Sequence, residues 1–245
     1  MRAGEAGAAG PAGAAGVAAA GLTAEDGRVR VIQEAITYSR RFSGSWFVVH
    51  ATPASVDPAT ISADILLLRS LGIHVAVVVP EQPGADSGSL AVDLRRALNR
   101  DDLTAVVLHW EETRAQDVAR QHPRRWQQVG ESGSLVLVVR CPAASSRAAA
   151  LTLGVECSAA KLLLLEEDWD PALLPVGGPG QPIPSADEVR PLLAGLGRGA
   201  VAAALAVEAV EAGIAEVHIV PTSGNAHPIL LEIFTGEGIG TWIGG

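Results

Sequence analysis

Few residues of this chain could do chemistry, and their types narrow what that chemistry would be. The 18 basic residues include one lysine, Lys161, so phosphate chemistry would depend on arginine, histidine or backbone amides. Three acids, Glu166, Glu167 and Asp168, could bind a cation, but an acidic run at a strand end is usually a solvated loop. His50 ends an apolar run. At a strand end a histidine is more often a hydrogen-bonded structural residue than a catalytic base, and we favour the structural interpretation.

The cysteines indicate neither a disulfide framework nor a metal site. Cys141 and Cys157 form no CxxC pair, and no Cys/His cluster has metal-ligand spacing. We therefore expect no metal, a reducing compartment and a cytoplasmic protein.

Charge and hydropathy exclude two classes of partner. The formal net charge of -9 would repel a phosphate backbone, so we expect no nucleic acid. The sequence contains no 18-residue apolar run, so we expect no membrane span. Because 48% of residues are hydrophobic and 4% aromatic, the core must consist largely of aliphatic side chains, which is typical of helices packed on a buried parallel sheet.

The pattern of apolar residues supports this fold class. Residues 1–24 form an Ala/Gly-rich tail that we expect to be disordered, and residues 25–245 form one domain. Helical and strand-like segments then alternate, which predicts an α/β fold with an open, mostly parallel sheet. The predicted strands are Trp46–Val49, Val75–Val79, Thr104–Leu108, Leu135–Val139, Leu162–Leu165 and Val217–Val220. The predicted helices are Glu25–Phe42, Pro58–Leu71, Leu90–Leu98, Thr113–Gln128, Ser145–Gly154, Gly199–Gly213 and His227–Phe234.

Long stretches at both ends of the domain resemble one family. They are Glu34–Pro83 and Ala206–Ile243, the second containing HPILLEIFTGEGIGTWI, and Ser158–Asp168 adds a similar strand between them. These segments resemble acetylglutamate kinases of the amino acid kinase family. The resemblance implies a three-layer αβα sandwich that dimerises through its central sheet, with acetylglutamate and ATP at the carboxyl edge of the strands.

The phosphate-binding positions implied by the resemblance are degenerate. The family ends its first strand with a lysine followed by glycines, where this chain has His50. Its second strand continues into a glycine loop, where this chain has Pro80, Glu81 and Gln82. Proline removes an amide donor and glutamate adds repulsive charge, so a phosphate cradle of the family type cannot form there.

The remaining catalytic positions are also changed. The family aspartate aligns with Arg147, the second catalytic lysine aligns with Ala202, and Gly197 alone survives from a glycine pair. We therefore expect no catalytic residues and no cofactor, which makes the chain resemble a pseudokinase. Arg147 and Arg198 could instead replace the lysines as phosphate clamps, in which case ATP and Mg would bind.

A set of residues implied to bind arginine is retained. In arginine-inhibited members of the family, the effector lies between the N-terminal helix and the C-terminal turn. The matching residues here are Tyr38, His227, Glu237, Gly238 and Gly240. A carboxylate, glycine carbonyls and an aromatic ring suit a guanidinium. The alternative is that these residues persist because the helix and the turn are structural.

The sequence thus predicts a catalytically impaired acetylglutamate kinase-like protein of arginine biosynthesis that acts as a regulatory or structural subunit and could bind L-arginine. The alternative is a diverged active kinase that phosphorylates the carboxylate of N-acetylglutamate or a related acyl amino acid. Family members with the EAxxYxxRF helix, here Glu34–Phe42, interlace it to join dimers. A homodimer, a hexamer or a hetero-oligomer with an active kinase is therefore expected.

Overall fold

The computed structural model describes residues 33, 36–52, 56–81, 89–100, 103–110, 135–174, 184–234 and 238–244. The strands are β1 (Trp46–Ala51), β2 (His74–Glu81), β3 (Thr104–His109), β4 (Leu135–Pro142), β5 (Lys161–Glu166), β6 (Glu216–Pro221) and β7 (Thr241–Gly244). The helices are α1 (36–42 in the described part), α2 (Pro58–Ser70), α3 (Leu90–Arg100), α4 (Ser146–Glu156), α5 (Ala186–Val189), α6 (Ala200–Glu211) and α7 (Pro228–Phe234).

The seven strands form one sheet in the order β3-β4-β2-β1-β5-β6-β7. All neighbouring strands are parallel except β6 and β7, which are antiparallel. The predicted α/β fold with a mostly parallel sheet is confirmed. Its central strands are buried on both faces, and this explains why they read as continuous apolar runs.

Helices cover both faces of the sheet. On one face α4, α5 and α6 pack against residues such as Val48 and Leu162. On the other face α1, α2, α3 and α7 pack against Phe47 and Leu163, their neighbours in the strands. Successive side chains of a strand point to opposite faces, so each strand contributes to both cores. This is the three-layer αβα sandwich.

The helix α2 shows how local sequence sets these elements. The Asp57 carboxylate caps the helix by accepting the Thr60 N–H at 2.9 Å, and Pro58 occupies the first turn, where no amide is needed. The helix buries an apolar stripe and ends before Gly72, whose φ of +80° is costly for other residues. The stripe comprises Ile61, Ile65 and Leu68.

Most predicted elements coincide with observed ones. Residues Thr241–Gly244, which are not among the predicted elements, form β7 beside β6. The predicted tail 1–24 and the predicted helix Thr113–Gln128 lie outside the described residues. None of the helices in the described part combines the length and apolar character required to cross a membrane.

A chain of buried charges joins α1 to the sheet and to α7. Lys161 is only 3% exposed and donates to the Glu216 carboxylate and, at 3.0 Å, to His218 Nε2. An ammonium can only donate, so His218 carries its proton on Nδ1 and donates to Glu232 Oε1 at 2.7 Å. Arg41 of α1 donates to the other oxygen of Glu216 at 2.9 Å.

Aromatic rings surround the Lys161 ammonium. Its nitrogen lies 5.8 Å from the ring centre of Tyr38 and 5.1 Å from those of Phe42 and Trp242. These distances are within the range of cation–π attraction. We call Lys161, Glu216, His218 and Glu232 the buried charge cluster. Burial lowers the pKa of Lys161, and Glu216 opposes that effect.

Glu216 of this cluster is ionised at neutral pH. Burial alone would raise the pKa of Glu216, but its interactions with His218 and Lys161 outweigh that effect and hold the pKa at about 2. Removing one partner of such a pair leaves an uncompensated buried charge, which typically costs about 3–5 kcal/mol.

Replacing Lys161 should therefore destabilise the fold strongly. We expect Lys161→Met to lower the free energy of unfolding by about 3–5 kcal/mol, because Glu216 and His218 lose their buried partner. Arg41→Ala removes the other cation on the same carboxylate, but Arg41 is largely exposed, so it should cost about 0–1 kcal/mol. Urea unfolding of both variants measures the contrast, and equal losses would contradict it.

Candidate functional site

The sheet topology itself points to one position for a ligand. Strand β1 is followed by α2 on one face, whereas its neighbour β5 is followed by α6 on the other face. The chain thus leaves these adjacent strands in opposite directions, which makes their carboxyl ends a topological switch point. In open α/β sheets ligands bind at such switch points.

His50 lies at this switch point, near the end of β1. It is 4% exposed, and its Nε2 lies 3.1 Å from the hydroxyl of Ser146, the first residue of α4. Its Nδ1 is buried and has no hydrogen-bond partner. Burial and the nearby Arg147 guanidinium lower the pKa of His50 to about 4, so the ring is neutral at physiological pH.

Arg147 lies near both His50 and Glu166, since its guanidinium influences the pKa of each. Arg147, in the first turn of α4, is exposed, and Glu166 ends β5 in a half-buried position. Burial raises the pKa of Glu166, and the Arg147 guanidinium partly offsets that rise. Neither side chain makes a salt bridge to another residue in the described ranges. The switch point therefore brings together one exposed cation, one half-buried carboxylate and one buried neutral imidazole.

The end of β2 is closed by an ion pair. Pro80 is buried there, and the following Glu81 binds the Arg140 guanidinium of β4 through a short salt bridge. Pro80 and Glu81 pair with Cys141 and Pro142 in the sheet. Gln82, the third predicted position of the degenerate loop, lies outside the described residues. A carboxylate thus occupies the strand end where the resemblance implies phosphate-binding amides.

Two further degenerate positions are uncharged residues. Ala202 of α6 is 4% exposed and packs in the core, and Gly197 begins a short 3₁₀ turn with φ of +54°. Arg198 beside it is exposed, with Asp168 3.7 Å away. No group of three or more His, Cys, Asp or Glu in the described part could hold a metal ion.

The residues predicted to bind arginine fall into two groups. Tyr38 packs against Phe42 and Phe234 with ring centres 4.4 and 5.1 Å apart, and its hydroxyl is buried without a partner. Gly238, with φ of +61°, and Gly240 lie against the Glu232 carboxylate, where added Cβ atoms would come within 3.0 and 3.1 Å of Oε2. These three residues thus surround the buried charge cluster.

The turn is held by Glu232 rather than by an external group. Its Oε2 accepts the N–H of Ile239 at 2.8 Å and of Gly240 at 2.7 Å, while Oε1 accepts His218. A buried carboxylate with three N–H donors is well satisfied. Glu237 of the prediction lies outside the described residues.

His227 lies at the opposite end of α7 from the Tyr38 contact. Its Nδ1 lies 2.7 Å from the carboxylate of Asp64 in α2, which also accepts the Ile229 N–H at 3.2 Å. Asp64 is fully buried, and burial raises its pKa although His227 opposes the shift. His227 therefore takes part in capping α7 and in joining α7 to α2.

Comparison with known proteins identifies the fold. No family model matches the sequence, and no curated protein sequence matches it. A UMP kinase from Ureaplasma parvum matches the structure with a TM-score of 0.55 and 11% identity, over 82% of this chain and 99% of that one. A carbamate kinase from Giardia matches with a TM-score of 0.50 and 10% identity, again over 82% and 99%. The chain has the amino acid kinase fold.

At such low identity the likeness concerns the fold alone. The αβα architecture inferred from the sequence agrees with the amino acid kinase fold. Similarity to acetylglutamate kinases in particular stays a prediction, as does the loss of catalysis. Function has to be argued from the side chains at the sheet edge.

Sequence reasoning did not identify two carboxylates that organise the structure. Glu232 sits in the otherwise apolar segment PILLEIF, and Asp64 sits in a helix rich in isoleucine and leucine. An acid on the buried face of a helix needs a partner, so that placement was the available signal. Their partners, however, lie 14 and 163 residues away in sequence.

The buried neutral His50 should make stability depend on pH. In the unfolded chain the imidazole takes up a proton below its usual pKa near 6.5, whereas the folded protein delays this to about 4. Stability is therefore full above pH 6.5 and is lost as the pH falls toward 4. Between pH 7 and pH 5 the loss from this residue should be about 2 kcal/mol.

Urea unfolding at both pH values, with His50→Gln as the reference, isolates this contribution. The unmodified protein should lose about 2 kcal/mol more than the variant, because glutamine does not titrate. The same pH dependence in both proteins would show that His50 is not held neutral by the fold.

Proposed function

We propose that this chain is a catalytically impaired, acetylglutamate kinase-like protein that acts as a regulatory or structural subunit in arginine biosynthesis. The observation that carries the proposal is the ion pair of Glu81 and Arg140 at the carboxyl ends of β2 and β4. It lies where the resemblance implies glycine amides that hold the transferred phosphoryl group. This ion pair argues against phosphate binding at these strand ends.

The chemistry of the replacements points the same way. A phosphate cradle needs backbone N–H groups that approach closely, but Pro80 has none and the Glu81 carboxylate repels an anion. His50 is neutral above about pH 4 and cannot supply the charge of a lysine. Ala202 is buried among apolar side chains. Removing a single preorganised donor typically costs about a hundred- to a thousandfold in rate, and here several are replaced.

One observation favours the alternative, a diverged active kinase acting on an acyl amino acid. Arg147 is exposed in the first turn of α4 and, in the described ranges, has no ion-pair partner. A free guanidinium at a helix N-terminus is suited to phosphate. Under this alternative Arg147 would hold ATP phosphates with Mg in place of the family lysines.

Turnover and nucleotide binding separate the two functions. The purified protein with ATP, Mg and N-acetylglutamate should release no ADP above background, because the donors to the transition state are missing. Mg-ATP should also leave the melting temperature unchanged. A ligand at a hundred times its Kd would stabilise the native state by about 2.7 kcal/mol.

An active acetylglutamate kinase assayed in parallel provides the control for the coupled ADP assay. Robust turnover by this chain would establish the alternative. If Mg-ATP stabilised the protein and Arg147→Gln abolished that effect without turnover, nucleotide binding would survive but catalysis would not.

We further propose that the subunit binds L-arginine at the C-terminal turn and assembles as a dimer or hexamer, or with an active kinase. Tyr38 on α1 and the tight turn at Gly238 and Gly240 support the position of the site, because both lie against the buried charge cluster. Glu237 would accept the guanidinium through charge-assisted hydrogen bonds.

Arginine binding should then depend on Glu237. Because removing one partner of a buried charge pair costs about 2–5 kcal/mol, Glu237→Ala should weaken L-arginine by well over tenfold in calorimetry without ATP. Glu208→Ala removes an exposed carboxylate on α6 and should have no effect. No heat of binding with the unmodified protein would mean that the turn is retained for folding.

A further inference from the structure

The solvent-facing side of helix α2 carries no charge. Leu66 and Leu67 are 37% and 41% exposed, and the other exposed residues of the helix are Ala59, Ala63 and Ser70. Positions 59, 63, 66 and 70 follow one another at steps of four and three, so they form a stripe along the helix, with Leu67 beside it. We call these five residues the outer face of α2. A surface helix normally turns its charged side chains to this side.

The charged side chains of α2 are instead turned inward. Asp64 is fully buried, where its carboxylate lies 2.7 Å from His227 Nδ1 and accepts the N–H of Ile229 at 3.2 Å. Arg69 is 6% exposed and donates to the carbonyl of Ile73 at 2.9 Å. The helix therefore has its polar groups in the interior and leucines toward solvent. An exposed apolar face of this kind is typical of an interaction surface.

The charges on the other helices indicate which partner this face suits. In a two-fold contact the same patch lies on both subunits, so a patch with charges of one sign meets that sign again and is repelled. Helix α6 exposes Glu208 and Glu211, and α3 exposes Arg95, Arg96 and Arg100. Helix α4 exposes Arg147. Among the described helices of at least eight residues, α2 alone exposes no charge and can meet its own copy without repulsion.

We infer that the outer face of α2 is the contact between two copies of this chain, with Leu66 and Leu67 at its centre. The inference rests on the assembly proposed above and names the surface that forms it. This surface differs from the one that the resemblance implies, because α2 covers a face of the sheet, whereas the resemblance implies dimers joined through the sheet itself.

Sedimentation analysis of the full chain over a range of concentrations tests the inference. We expect a reversible dimer. Leu66→Glu and Leu67→Glu should each raise the Kd by about thirtyfold or more, because the new carboxylate is buried in the contact and the second copy carries it too. Val201→Glu is the matched control, since Val201 is 42% exposed on α6, across the sheet, and should change the Kd by less than about twofold.

The salt dependence of the dimer gives a second measurement. Each copy has a formal net charge of -9, so the two copies repel each other while the contact itself is uncharged. Raising the salt concentration from about 0.1 M to about 1 M shortens the screening length from about 10 Å to about 3 Å and should tighten the dimer. A dimer that weakens at high salt would be held by opposite charges, which would overturn the inference.

The remaining outcomes separate the face from the assembly. A dimer that both leucine variants leave intact would overturn the α2 contact alone. A monomer throughout the micromolar range would overturn the contact together with the proposed homo-oligomer. If that monomer lost several degrees of melting temperature in Leu67→Glu but not in Val201→Glu, another segment of the same chain would cover α2, and the second copy would be the wrong occupant.

Discussion

The burial of one ammonium group constrains how β5, β6, β7, α7 and α1 pack together. Lys161 opens β5 at 3% exposure, in a position that would cost several kcal/mol without compensation. The compensation comes from four other elements: Glu216 and His218 of β6, Glu232 of α7, Trp242 of β7 and the rings of α1. Each of these elements must hold its position for the charge to remain satisfied.

Strand β5 carries a charged residue at each end, and the two differ in how they are paired. At its amino end Lys161 is fully paired, and at its carboxyl end Glu166 is half-buried without an ion-pair partner in the described residues. A fold that satisfies one buried charge through several contacts can leave another unpaired only where solvent or a ligand completes it.

The architecture was predictable because it depends on local signals. Strands such as Val75–Val79 are uninterrupted apolar runs, and helices such as α2 carry a cap and an apolar stripe, so the order of elements could be inferred. Strand β7 was missed because four residues ending at a glycine carry little pattern, and its pairing with β6 is a tertiary fact. The Asp64–His227 contact spans 163 residues, and no local pattern encodes it.

The candidate site could be placed from sequence only in part. Arg147 was identified as a possible phosphate clamp. Glu166 was interpreted as part of a solvated acidic run, because only the packing of α4 near β5 brings it close to Arg147. The ion pair at one strand end and the switch point lie at separate places in the sheet. The pair of Glu81 and Arg140 joins β2 to β4, whereas the switch point lies between β1 and β5, one strand away. The ion pair of Glu81 and Arg140 and the charged residues near the carboxyl ends of β1 and β5 therefore lie at different positions along the strand edge, and one arrangement does not determine the other.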